Sequence, residues 1–198
     1  MNIENSRVGE VIEATTASFT AQCYNLWELP PLGSLVKTAE NGLALYGVVC
    51  RATTLGIDPG RKAIARGKDE LSEEAIFQSN PQLVHLLKSE FTALLVGYKE
   101  SASIHRYLPP RPARIHAFVN RCSTDEVLSF SQRLDFLSIL LKSKLEIPAE
   151  EFTAAVLRQF TEAQPNPEGF LVQTGKELAR LLSSDYTQLK AILERIKV

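Results

Sequence analysis

The sequence predicts an α+β protein: an N-terminal six-stranded β-barrel with a helical insertion over residues 1–122, then an all-α bundle over 123–198. Three observations predict it. Asn41-Gly42 sits between two β-rich runs in LVKTAENGLALYGVVCRATT, the signature of a two-residue type I′ hairpin whose central residues both take positive φ. Six short strand-like runs precede Cys122, and none alternates with a crossover helix, which favours a small closed barrel over a doubly wound sheet. After Cys122 the apolar residues recur at spacings of three and four, the period of helices.

Residues 8–14 (VGEVIEA) form the first strand, where Gly9 suits a bulge or a close neighbouring backbone. Residues 18–24 (SFTAQCY) alternate, with Phe19, Ala21 and Cys23 facing one way. The segment 25–33 holds Trp27 and Pro30-Pro31, so it is a connection, with Trp27 covering a barrel end. In the hairpin that follows, Glu40 faces Leu43, Thr38 faces Leu45 and Val36 faces Gly47. That register directs Val36, Leu43, Leu45 and Val49 inward and Lys37, Tyr46 and Val48 outward.

Residues 56–68 form a loop with an Asp58-Pro59-Gly60 turn, in which Arg61, Lys62, Arg66 and Lys68 precede the acids Asp69, Glu70, Glu73 and Glu74. Ser72 caps a short helix to Gln78, and Asn80-Pro81 starts a second to about Lys88, giving a helical insertion over about 69–88. Residues 91–98 (FTALLVGY) and 115–119 (IHAFV) are the last two strands, joined through the extended proline segment YLPPRPAR.

Ser123-Thr124-Asp125-Glu126 reads as a capping box opening one long helix striped by Val127, Phe130, Leu134, Leu137, Leu141 and Leu145. Pro148 opens a second, with Phe152, Val156 and Phe160 on one face, which QPNPEG ends. A third spans about 171–182, and Ser184 caps a fourth carrying Tyr186, Leu189, Leu193 and Ile196. The single stripes are either bundle core or, where one stays exposed, a partner groove contact. The terminal helix, with Tyr186, Leu189 and Leu193, is the candidate for the latter.

Composition bounds function. A net charge of −1 gives no global pull toward nucleic acid or anionic membrane, and residues 1–122 carry 13 Lys+Arg against 12 Asp+Glu. The opening residues lack a secretory pattern and no apolar run reaches membrane-spanning length, so a cytoplasmic location without a membrane span is expected. Cys23, Cys50 and Cys122 are widely spaced within apolar runs and read as buried free thiols. His85, His105 and His116 form no metal-ligand spacing, and Glu73-Glu74 and Glu150-Glu151 fall in first helical turns, where the helix dipole explains them. No catalytic, cofactor or metal residue is assigned, and a non-enzyme is expected.

VGEV at 8–11 with Phe19, LGSLV at 32–36, LYGVV at 45–49, LLVGY at 94–98 and LPPRPAR follow one another in this order over about residues 7–122. On these motifs the barrel half resembles the HAS barrel, the small β-barrel at the N-termini of HerA-type DNA translocases and of ATP synthase catalytic-head subunits. It implies a barrel that packs against like barrels as a collar on a ring ATPase and contributes no catalytic residue. Those relatives continue into a nucleotide-binding domain, whereas residues 123–198 are too few and too helical to be one. The run GIDPGRK at 56–62 is not a P-loop: three residues separate its glycines and Ala63 stands where Ser or Thr belongs.

The expected function is therefore an interaction or adaptor protein that docks on or assembles with a ring ATPase, or with further copies of itself. Lys37, Tyr46 and Val48 on the outer barrel, and Tyr186, Leu189 and Leu193 on the last helix, are the expected partner contacts. The alternative is a nucleic-acid-binding barrel: residues 101–124 contain no acid, and Arg106, Tyr107, Arg111 and Arg114 could supply phosphate and stacking contacts. Equally, the arginines of this run could answer the acids at 69–74.

Overall fold

In the computed structural model, strand β2 (Ser18–Cys23) pairs with both β1 (Arg7–Ala14) and β5 (Leu87–Glu100), and that second pairing closes the sheet into a barrel. The ring runs β2-β1-β7-β3-β4-β5, with β3 at Leu35–Glu40, β4 at Leu43–Gly56 and β7 at Phe118–Arg121. All its pairings are antiparallel. The structure describes residues 7–58, 60 and 62–196. Residues 1–6, Pro59 of the expected turn and Arg61 of the basic run lie outside the described residues.

The central hairpin takes the expected form. Asn41 and Gly42 have φ of 50° and 79°, and the register pairs Glu40 with Leu43, Thr38 with Leu45 and Val36 with Gly47. Val36, Leu43, Leu45 and Val49 pack in the lumen with Phe19, Phe91 and Leu95. Gly9 answers the close-backbone reading: a Cβ there would lie 2.0 Å from the Gln22 carbonyl oxygen.

Several expectations change. A short seventh strand, β6 (Ser103–His105), extends the sheet beyond β5. The last ring strand starts at Phe118, not Ile115, because residues 114–117 form a turn in which His116 takes a φ of 65°. The insertion holds helix α1 (Glu73–Ser79), capped by Ser72 as expected, but Pro81–Leu86 is a 3₁₀ helix and Lys88 already belongs to β5. The long helix is two: α2 (Thr124–Ser131), opened by the expected capping box, and α3 (Leu137–Lys142).

Helix α4 (Ala149–Glu162) follows Pro148 as expected and buries Phe152, Val156 and Phe160. Helix α5 (Pro167–Leu181) begins earlier than expected, since Asn166 accepts from the Gly169 amide and Pro167 suits a first helical position. Helix α6 (Tyr186–Arg195) is capped by Asp185 rather than Ser184. None of the helices among the described residues is long and apolar enough to cross a membrane.

The helices pack on the barrel itself. Leu35, Tyr46, Val48, Cys50, Leu94 and Val96 point outward from β3, β4 and β5, and share one core with Phe130, Phe136, Leu140 and Phe160. The barrel therefore has two hydrophobic interfaces: its lumen, and the outer face of three adjacent strands under the helices.

Candidate functional site

The three outer-barrel residues expected to meet a partner are not a free surface. Tyr46 is 3% exposed and Val48 fully buried, both beneath the helices, and the Tyr46 ring lies 5.2 Å from that of Phe130. Burying such side chains stabilises by roughly 1.5–3 kcal/mol each, so the chain's own helices satisfy this face. Burial pushes the Tyr46 phenol up to about 12, with Cys122 and Glu126 adding to the shift. Lys37 is part-buried and pairs with Glu126, the residue that also closes the capping box of α2. The outward orientation is as expected, and its consequence is corrected: these residues join the two halves of the chain.

On α6, Tyr186 is 75% exposed, whereas Leu189 and Leu193 are part-buried against the core shared with the barrel. Arg195, at the end of that helix, binds the Glu151 carboxylate of α4, and Arg158 of α4 donates to the Arg195 carbonyl at 2.7 Å. This helix is thereby tied down, and of the three residues Tyr186 is the one that is mainly exposed.

The arginine segment disperses. Arg106 donates through Nε to the Phe130 carbonyl at 2.7 Å and through Nη2 to that of Ser129 at 2.9 Å, while its guanidinium lies 5.5 Å from the Phe130 ring centroid. The Tyr107 hydroxyl shares a 2.9 Å hydrogen bond with His105 Nδ1, whose ring stacks on Tyr98. Arg114 pairs with Glu40 at 3.1 Å, and Arg111 has no ion pair or hydrogen bond among the described residues. Thus Arg106 answers helix carbonyls and Arg114 a hairpin carboxylate, and no ion pair joins either to the acids at 69–74 among the described residues.

Two surfaces escaped sequence reasoning. The outer side of β1, β2 and β7 is left uncovered and bears exposed Ile12, Tyr24 and Phe118, with the Arg7 guanidinium 3.8 Å over the Phe118 ring. Glu10 pairs in register with Gln22 on one side and Phe118 on the other, so these three form one row across the face. Strand alternation contains this face, but nothing local says which face the helices leave open. The second surface is a cleft of about 1010 Å³ between the residue 56–66 loop and the helical insertion.

The cysteines are free, and burial raises the thiol pKa of each, that of Cys23 to about 11. Such thiols are poor nucleophiles at neutral pH. Among the described residues no three His, Cys, Asp or Glu side chains are grouped to hold a metal ion.

Set against known proteins, the chain matches no protein-family model, and no curated protein matches it.

Proposed function

We propose that this is a non-enzymatic interaction protein whose HAS-like barrel docks on, or assembles with, the barrels of a partner ring ATPase in the assembly or regulation of an ATP synthase-like or HerA-like machine. The supporting observation is the one-sided cover of the barrel. The helices occupy the outer face of β3, β4 and β5, while the face of β1, β2 and β7 keeps Ile12, Tyr24 and Phe118 in solvent. A collar barrel needs two lateral contacts to continue a ring. With one side closed by its own helices, this barrel would engage a neighbour on one side only and cap a row of barrels.

The test is affinity purification of the tagged protein at native expression. Recovery of a ring ATPase subunit, lost on Phe118→Glu and reduced on Tyr186→Ala, is the expected result; recovery of no such subunit overturns the reading. Nucleic-acid binding is the second reading, favoured by Arg7 over Phe118 and by the exposed Arg111 and Arg114. It requires single-strand binding that falls steeply with salt, and absence of binding at low salt removes it.

A further inference from the structure

Strands β4 and β5 outrun the barrel. Beyond Glu90, the last residue of β5 that pairs with β2, their pairing continues from Thr54↔Ser89 to Gly56↔Leu87, and the insertion sits at the end of this short two-stranded arm. Helix α1 and the 3₁₀ helix after it bury no residue of their own. Their apolar side chains instead line the 1010 Å³ cleft: Ile76 and Phe77 from the first, Leu83 and Leu86 from the second, facing Ile57 and Ile64 of the loop. Ile64 is 78% exposed and Leu86 56%. So much aliphatic surface in solvent marks an interaction site rather than a core.

The walls are held in place before any ligand arrives. Trp27, at the barrel end, meets the Phe77 ring edge-on at 5.1 Å, and its amide donates to Ser89 Oγ at 2.9 Å. Gly67 lets the loop approach α1 so closely that a Cβ there would lie 2.5 Å from Ile76 Cδ1.

Charge selects the occupant. The cleft is lined by Lys62 and Arg66, neither of which has an ion pair among the described residues. Its one carboxylate, Asp58, is engaged by the Gly60 amide at 3.0 Å. A concave apolar trough with a basic rim complements an amphipathic helix whose apolar stripe is flanked by acids. A bilayer fits less well, because the apolar side chains line a cleft between the loop and the insertion rather than one outward plane.

We propose that the insertion cleft binds an acidic amphipathic helix of a partner protein, a contact separate from the barrel face of β1, β2 and β7. The test selects peptides from a random display library on the full-length protein and measures their affinity by fluorescence anisotropy. Recovered peptides should carry apolar residues at i, i+3, i+4 and i+7 beside Asp or Glu. Ile64→Glu or Leu86→Glu should weaken them about tenfold or more, as for loss of an interface anchor. The Lys62→Glu/Arg66→Glu double substitution should shift preference toward lysine-flanked peptides. Both apolar positions are exposed, so circular dichroism should remain unchanged.

Recovery of no peptide, or of peptides indifferent to Ile64→Glu, overturns the proposal. So does sedimentation with phosphatidylglycerol vesicles that Ile64→Glu abolishes, which would assign the walls to a membrane. Phe118→Glu should leave peptide affinity intact, so failure here is distinguishable from failure of the barrel-docking reading.

Discussion

Gly33 and Gly42 show how the same backbone requirement carries different consequences at two positions. Both have positive φ, 84° and 79°. Around Gly42 a Cβ would find nothing within 4 Å, so Gly42→Ala should cost only the left-handed backbone penalty of about 1–2 kcal/mol. At Gly33 a Cβ would lie 2.5 Å from the Ala155 carbonyl carbon and 2.6 Å from the Val156 amide nitrogen of α4. Gly33→Ala should therefore cost at least about 3 kcal/mol, since a helix backbone must also move. Urea denaturation checks the order, and a Gly33→Ala penalty no larger than that of Gly42→Ala would contradict it. Gly42 is legible in the sequence, because Asn-Gly between strands is a local signal. Gly33 is not, because what it meets lies far along the chain.

At the scale of elements, the capping residues Ser72 and Ser123 and the buried stripe of α4 follow from local rules. The break between α2 and α3 does not. Val127, Phe130, Leu134 and Leu137 keep a helical spacing straight through it, so the pattern alone predicts a continuous helix. Arg106 reaches in from beyond β6 and binds the Ser129 and Phe130 carbonyls, which end α2 as charge-assisted caps. Removing it should leave those carbonyls poorly satisfied: Arg106→Ala is expected to lower stability by about 2–3 kcal/mol. Arg106→Lys should recover only part of that, because an ammonium cannot donate in the fork geometry of a guanidinium. Thermal denaturation of the pair checks this, and an unchanged melting temperature for the alanine variant would show the contact to be incidental. The same geometry explains why the arginine segment reads as a nucleic-acid site in sequence yet is partly committed to the fold. A cation's partner is set by tertiary proximity.

For the whole molecule, the composition shift at Cys122 reads as a boundary between two domains, whereas Leu35, Tyr46, Val48, Leu94 and Val96 of the barrel half share a core with the helices. Unfolding should thus be a single cooperative transition by both circular dichroism and Trp27 fluorescence. A fragment ending at residue 122 should expose those five side chains, bind a hydrophobic dye and aggregate. A fragment that stays monomeric and dye-negative would show the halves to be separable.

The sequence by itself determined the α+β class, the hairpin register with its lumen residues Val36, Leu43, Leu45 and Val49, and the buried stripe of α4. Each depends on residues a few positions apart and on the fixed periods of strand and helix. Only the tertiary structure decided which outer face of the barrel the helices cover, and hence that Tyr46 and Val48 are interior while Phe118 is not. It alone brought Ile64 across from Ile76 and Phe77 to form a cleft. Alternation along a strand divides its side chains into two faces, but which face meets water is a relation between segments that no local pattern encodes.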